Sequence, residues 1–144
     1  MKTEKSKEKT NTNYLPDVLG DGFNKLILSL ADDYEGDVVA TMIRRNSKTQ
    51  TGTAILYIHG FNDYFFQEEM AKQFNNQGYN FYALDLRKYG RSHLTHQKLN
   101  NVRSLIEYDD EIDLALQIIK SENNNQVILK GHSTGGLIVT NYAG

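Results

Sequence analysis

The sequence predicts an α/β fold in which a mostly parallel sheet is flanked by helices. Two observations favour this class. From residue 53 onward, strand-like and helix-like segments alternate, which is typical of parallel strands joined by crossover helices. Before residue 53, two strand-like segments follow one another without a helix, so the sheet is expected to begin with antiparallel strands.

Each strand has its own signal in the sequence. The first two are predicted at 23–30 and 38–45, and the turn-rich residues ADDYEGD between them predict a hairpin. The near-continuous apolar run TAILYI at 53–58 is typical of a strand buried on both faces. Further strands are predicted at 81–86 and 127–129, and all three residues of the latter are apolar.

Helices are predicted between and after these strands. Residues 67–76 form a short helix that ends before Gly78, because glycine readily takes the backbone conformation of a helix terminus. Residues 105–121 form an amphipathic helix, with apolar side chains at steps of three and four residues. That apolar face consists of Leu105, Tyr108, Ile112, Ala115, Leu116 and Ile119. Another helix is expected from Thr134.

The ends and the composition exclude several classes of protein. Residues 1–13 hold no apolar residue after Met1 and are expected to form a disordered tail ahead of a domain at 14–144, with a lysine-rich binding arm as the alternative. A net charge of -2 offers no basic surface for nucleic acid. No signal peptide or membrane-spanning run is visible, so a cytoplasmic location is predicted. With no cysteine, and with histidines that lack ligand spacing, neither a metal nor a cofactor is expected.

The main functional signal is VILKGHSTGG at 127–136. A short apolar strand leads into Gly131-His132-Ser133-Thr134-Gly135 and then into a helix-like segment. This strand–turn–helix setting is that of a nucleophile elbow, whose glycines let strand and helix approach without Cβ clashes. A phosphate-binding turn does not fit, because the lysine of a P-loop and the first G-x-G of a dinucleotide motif are missing. Ser133 is therefore the candidate nucleophile.

The order of these motifs resembles the α/β-hydrolase superfamily, in particular its monoacylglycerol-lipase-like serine hydrolases. The resemblance is carried by IHG at 58–60, ALDLRKYGRS at 83–92, EYDDEIDLALQIIK at 107–120 and LKGHSTGG at 129–136. It implies a lipase-, lysophospholipase- or esterase-like enzyme that cleaves small-molecule or lipid carboxylic esters through an acyl-enzyme on Ser133. A serine at this position argues against the dehalogenases and epoxide hydrolases of the fold, which the resemblance says use a carboxylate.

The resemblance also assigns roles to residues around the serine. The oxyanion hole is expected to use the backbone N–H groups of Phe61 and Thr134. The triad acid and histidine are expected beyond Gly144, so the chain would be the N-terminal part of a hydrolase and inactive by itself. The motif-shaping residues, none of them assigned as base, are His59, Gly60, Gly131, His132 and Gly135.

Other interpretations stay open from sequence alone. The same motifs fit a peptidase, a thioesterase or an acyltransferase, and a non-catalytic hydrolase-fold protein is the alternative from another class. Asp85 and Arg87 are expected to tie their loop by hydrogen bonds and an ion pair. Residues 64–66, which are all aromatic, are expected to pack beneath the first helix rather than to contact substrate. His93 and His96 are expected at the surface, with contact to a cap region as the alternative.

Overall fold

The computed structural model describes residues 13–49, 51–60 and 63–144. Within these residues, a six-stranded mixed sheet is flanked by helices, which confirms the predicted α/β class and the antiparallel start. The strands are β1 (Leu15–Pro16), β2 (Asn24–Asp33), β3 (Gly36–Arg45), β4 (Thr53–Ile58), β5 (Asn80–Asp85) and β6 (Gln126–Gly131). The helices are α1 (Glu68–Asn76), α2 (Asp109–Ser121) and α3 (Thr134–Ala143). The tail predicted at 1–13 lies outside the described residues apart from Asn13.

The strands are arranged in the order β1-β2-β3-β5-β4-β6. The pairs β1–β2, β2–β3 and β3–β5 are antiparallel, whereas β4 is parallel to both β5 and β6. The β2–β3 turn is shorter than predicted, because residues up to Asp33 and from Gly36 join the strands. The Asp33 carboxylate accepts the N–H of Glu35 at 2.8 Å and so closes the turn locally.

Both faces of the sheet carry a hydrophobic core. Alternate residues of β4 enter opposite cores: Leu56 packs on the side of α2 and α3, and Tyr57 on the side of α1. All of 54–58 is buried, which confirms the prediction for this strand. β6 confirms the strand predicted at 127–129, but Ile128 is 47% exposed while its neighbours on both sides are partly buried.

The helices follow their predicted patterns with one change of geometry. The α1 helix is followed by Gly78 at φ 90°, as expected for a helix terminus. The first turn of the second predicted helix, Leu105–Tyr108, is a 3₁₀ turn, and Ser104 caps it by accepting the N–H of Ile106. No helix among the described residues is both long and apolar enough to cross a membrane.

Candidate active site

Ser133 lies at a strained turn between a strand and a helix. β6 ends at Gly131 and α3 begins at Thr134, so the chain reverses direction across two residues. The backbone of Ser133 has φ 57° and ψ -122°, a conformation that costs a non-glycine residue about 1–3 kcal/mol. Ser133 is exposed at the edge of the sheet where the parallel strands have their carboxyl ends. Such strain persists only where the surrounding structure imposes it.

The two glycines of the motif impose this turn by close packing. A Cβ on Gly131 would lie 2.3 Å from the carbonyl oxygen of Gly135, and one on Gly135 would lie 2.2 Å from the carbonyl oxygen of Ile58. Real Cβ atoms do not approach backbone this closely. Gly136, by contrast, has no such neighbour within 3.9 Å. The motif glycines therefore set the distance between β6, α3 and the end of β4.

The loop after β4 lies against the serine. A Cβ on Gly60 would lie 3.4 Å from Cβ of Ser133 and 3.2 Å from the carbonyl oxygen of His132. Phe61, the predicted oxyanion donor, lies outside the described residues. Thr134 is the first residue of α3, where backbone N–H groups have no acceptor within the helix. The assignment of these two donors stays a prediction.

His59 lies beneath this loop and is 1% exposed. Its Nε2 accepts the N–H of Leu86 at 3.0 Å, so Nδ1 carries the proton and donates to the carbonyl oxygen of Gly60 at 2.8 Å. Burial lowers the pKa of His59, which favours this neutral form. Both ring nitrogens are thus engaged with backbone groups.

Of the remaining histidines, one lies in the turn and two are bonded to other parts of the molecule. His132 is exposed in the turn itself. Nε2 of His93 is 2.8 Å from the carbonyl oxygen of Gln97, and Nε2 of His96 is 3.1 Å from that of Asp37. The described part of the chain contains no group of three or more histidine, aspartate or glutamate side chains that could hold a metal ion.

Two arginines of the loop after β5 form ion pairs with different neighbouring elements. Arg87 faces α2 and binds the fully buried Glu111, with Nη2 2.8 Å from Oε1. Arg91 faces β1 and the segment after β4, and it binds Asp17 and Asp85 at 2.7 and 2.9 Å. Both arginines therefore anchor this loop to neighbouring elements.

The sequence analysis expected Asp85 and Arg87 to tie the loop but missed their partners. Glu111 could have been found, because it lies three residues after Tyr108 and four before Ala115, on the apolar face of the helix. A charge at such a position needs a buried partner. No comparable local signal identifies Asp17, which lies 74 residues before Arg91.

Two of the three aromatic residues at 64–66 differ from the prediction. Phe65 is fully buried and packs edge-on to Tyr57, as expected for a core residue. Tyr64 and Phe66 are instead 46% and 52% exposed, and their rings form a pair with centroids 5.4 Å apart. In this extended segment, consecutive side chains point in opposite directions, so the core takes only the middle one.

A polar cleft of about 730 Å³ lies away from the serine, between the end of β3 and α1. Arg45 and Lys72 contribute to its lining, and both form ion pairs with Asp21. These two cations are thus already paired with a carboxylate, and none of the lining residues belongs to the elbow. The candidate active site is therefore the turn around Ser133.

The fold and this turn define an α/β-hydrolase, which confirms the resemblance stated above. Residues 49–144 match the family model described as serine aminopeptidase, S33, and the chain belongs to this family. No curated protein matches the chain.

Solved structures show the same fold at low sequence identity. A thermostable carboxyl esterase from Bacillus coagulans, in complex with glycerol, is 17% identical with a TM-score of 0.70, and the match covers 83% of this chain and 39% of that one. A monoglyceride lipase from Saccharomyces cerevisiae, with a substrate analog, is 21% identical (TM-score 0.60; 81% and 36% covered). An epoxide hydrolase from an endophytic Streptomyces is 18% identical (TM-score 0.61; 85% and 33% covered). The chain thus spans little more than a third of these proteins' lengths.

Proposed function

We propose that the protein is a serine hydrolase that cleaves carboxylic esters through an acyl-enzyme on Ser133. The observation that carries this proposal is the exposed, strained serine with Gly60 packed against it. Strain of this kind is found where a side chain must be presented for chemistry. The esterase and the lipase among the structural neighbours support an ester substrate, and the serine separates this chain from carboxylate-dependent members of the fold.

In the proposed reaction, the Ser133 hydroxyl attacks the ester carbonyl while a histidine removes its proton. The carbonyl π electrons move onto oxygen, and the N–H groups of Thr134 and Phe61 stabilise the resulting oxyanion. Collapse of the tetrahedral intermediate expels the alcohol, which takes the proton from the histidine. Water then hydrolyses the acyl-enzyme by the same steps and releases the acid.

We place the general base outside the residues described here. Among the four histidines, His59 uses both ring nitrogens on backbone groups, so its lone pair is not available to the serine. His93 and His96 are bonded to loops elsewhere. His132 is adjacent in sequence, and the sharp turn directs neighbouring side chains apart. A histidine and an acid from another part of the protein complete the triad in this proposal.

The family description favours a second candidate, peptide bond hydrolysis at an N-terminus. The same nucleophile and oxyanion hole would serve an amide, so the two candidates differ in the leaving group rather than in this site. Turnover of matched ester and aminoacyl-amide substrates by the full-length protein distinguishes them. We expect the ester to be preferred.

The cytoplasmic location stays a prediction from sequence.

A fluorophosphonate probe tests the proposal on the full-length protein, because it reacts only with an activated serine beside an oxyanion hole. We expect labelling in the wild type and none in Ser133→Ala. Gly60→Val should abolish labelling as well, since its side chain would enter the 3.2–3.4 Å gap to the elbow. Thr134→Ala and Phe61→Ala are the controls and should stay labelled, because each retains its backbone N–H.

The substrate profile adds a second readout to the same variants. Phe61→Ala should shift the preferred acyl chain length while labelling persists, because its side chain is proposed to shape the acyl pocket. A wild-type protein that is not labelled at all would contradict the hydrolase proposal and favour the non-catalytic alternative. Labelling that survives in Gly60→Val would remove the loop after β4 from the oxyanion hole.

A further inference from the structure

We propose that Asp85 and Arg91 are positioning residues for catalysis. They hold the loop beside Ser133 through hydrogen bonds to the backbone of Phe65. The inference rests on the proposed function, since it concerns the rate of attack by that serine. Neither side chain reaches the reacting atoms in this proposal. They act through Phe65, which follows Gly60 by five positions in the chain.

Both backbone polar groups of Phe65 form hydrogen bonds with these side chains. Its N–H donates to Oδ1 of Asp85 at 2.8 Å, and its carbonyl oxygen accepts from Nη1 of Arg91, also at 2.8 Å. The same Nη1 is 2.9 Å from Oδ2 of Asp85, so the carboxylate, the guanidinium and the peptide form a closed ring of contacts. Hydrogen bonds to charged groups are stronger than those between neutral groups. Phe65 is thus a fixed point of the loop.

The guanidinium is itself held from the opposite side. Nε and Nη2 of Arg91 bind the two carboxylate oxygens of Asp17 at 2.7 and 2.9 Å, which is the bidentate geometry that fixes a guanidinium plane. Asp85 is fully buried and Asp17 is 5% exposed. The arginine therefore cannot rotate away without leaving two buried carboxylates unpaired.

The start of the loop after β4 is anchored by Leu86, the residue that follows Asp85. The N–H of Leu86 donates to His59, directly before Gly60. Consecutive residues, Asp85 and Leu86, thus hold Phe65 and His59, which flank the oxyanion donor proposed at Phe61. Because Gly60 packs against Ser133, any shift of Gly60 changes the backbone beside the nucleophile. A misplacement of about 1 Å at such a site can reduce the rate by about 100-fold.

The neighbouring ion pair of Arg87 with Glu111 provides a matched comparison. It is buried, it is bidentate and it begins in the same loop, yet its bonds lead to α2 rather than to the segment after β4. A purely structural role for Arg91 predicts that removal of either arginine has the same consequence for the enzyme. A positioning role predicts that only Arg91 affects the chemical step.

The experiment uses Arg91→Met, Arg91→Lys, Arg87→Met and Asp17→Asn in the full-length protein, with kcat, KM, fluorophosphonate labelling rate and Tm measured for each. We expect Arg91→Met to lower kcat and labelling rate by about 100-fold, with KM changed less than about threefold, as for a lost oxyanion contact. Arg91→Lys retains the charge and should recover part of the rate. Arg87→Met should lower Tm while kcat stays within about threefold of wild type. Asp17→Asn weakens the support of the guanidinium and should lower kcat by less than Arg91→Met does.

Amide hydrogen exchange at Phe65 provides a readout if Arg91→Met does not fold. In Arg91→Lys, this amide should exchange faster than in the wild type, while amides of α2 keep their rates. Equal losses of kcat in Arg91→Met and Arg87→Met, or unchanged exchange at Phe65, would overturn the positioning role while leaving Ser133 as nucleophile. An unlabelled wild-type protein would overturn the proposed function itself, which makes the two failures distinguishable.

Discussion

β4 and β6 are neighbouring parallel strands with apolar residues in corresponding positions, yet their side chains are buried to different extents. Ile55 and Ile128 lie opposite each other in the register of these strands, but Ile55 is 2% exposed and Ile128 is 47% exposed. Each strand leads into a histidine beside a glycine or serine. His59 is buried with both nitrogens bonded, whereas His132 is exposed.

The difference comes from the position of each strand in the sheet. β4 is paired on both edges and covered on both faces. Among the described strands, β6 pairs with β4 alone, and only one of its faces is covered. The same local pattern therefore yields a buried histidine after β4 and an exposed turn after β6. The candidate active site combines the two.

The largest expected effect is a difference in unfolding free energy between substitutions at Ile55 and at Ile128. Ile55→Lys places an unpaired charge in the core and should lower the free energy of unfolding by about 4 kcal/mol or more. Ile128→Lys replaces a half-exposed side chain and should change it by less than about 1 kcal/mol. Denaturant unfolding of both variants measures this contrast. Equal losses would mean that β6 is covered as fully as β4.

The same pair of variants tests association through β6. An apolar edge strand favours pairing between chains, so the 144-residue chain is expected to form oligomers. Ile128→Lys should shift it towards monomer, because a charge at the edge opposes pairing. Light scattering of wild type and variant measures the shift. A wild-type chain that is monodisperse as a monomer would contradict the expectation.

A smaller effect is expected where the two strands meet at α3. Gly135→Ala would bring a methyl group to 2.2 Å from the carbonyl oxygen of Ile58, so β4 and α3 must separate. We expect a loss of about 3 kcal/mol in unfolding free energy and no fluorophosphonate labelling. Gly136→Ala is the matched control: it has room, and alanine favours a helix, so stability should rise by up to about 1 kcal/mol. Similar behaviour of both variants would show that close packing does not set the elbow.

The smallest effect is a pH dependence of stability that comes from the buried His59. Since burial lowers the pKa of His59, the unfolded chain binds a proton below pH of about 6.5 that the folded chain does not. The stability contributed by neutral His59 is fully present above about pH 6.5. It is lost as the pH falls through the lowered pKa of His59 in the folded chain. The slope is at most about 1.4 kcal/mol per pH unit for one proton.

Unfolding free energies measured between about pH 4.5 and about pH 8 report this contribution, because that range covers the titration of histidine. His59→Gln should flatten the curve near pH 6, since glutamine does not titrate. A curve that keeps its slope in His59→Gln would assign the proton to another group.

Local patterns in the sequence were sufficient to predict most of the fold. The buried run of β4, the face of α2 and the helix end before Gly78 each depend on residues within one element, and the structure confirms them. The glycines around Ser133 belong to the same class of signal, because the turn they permit is local to six residues. Family membership followed from these motifs in their order along the chain.

Only the tertiary structure decided which side chains are covered and which charges meet. Ile128, Tyr64 and Phe66 are as apolar as their buried neighbours, and their exposure depends on what packs against them. The bonds of Arg91 to Asp17 and to Phe65 join residues 74 and 26 positions apart. Such contacts depend on the order of strands in the sheet. A sequence pattern reports the periodicity of one element, whereas strand order is settled by the packing of all elements together.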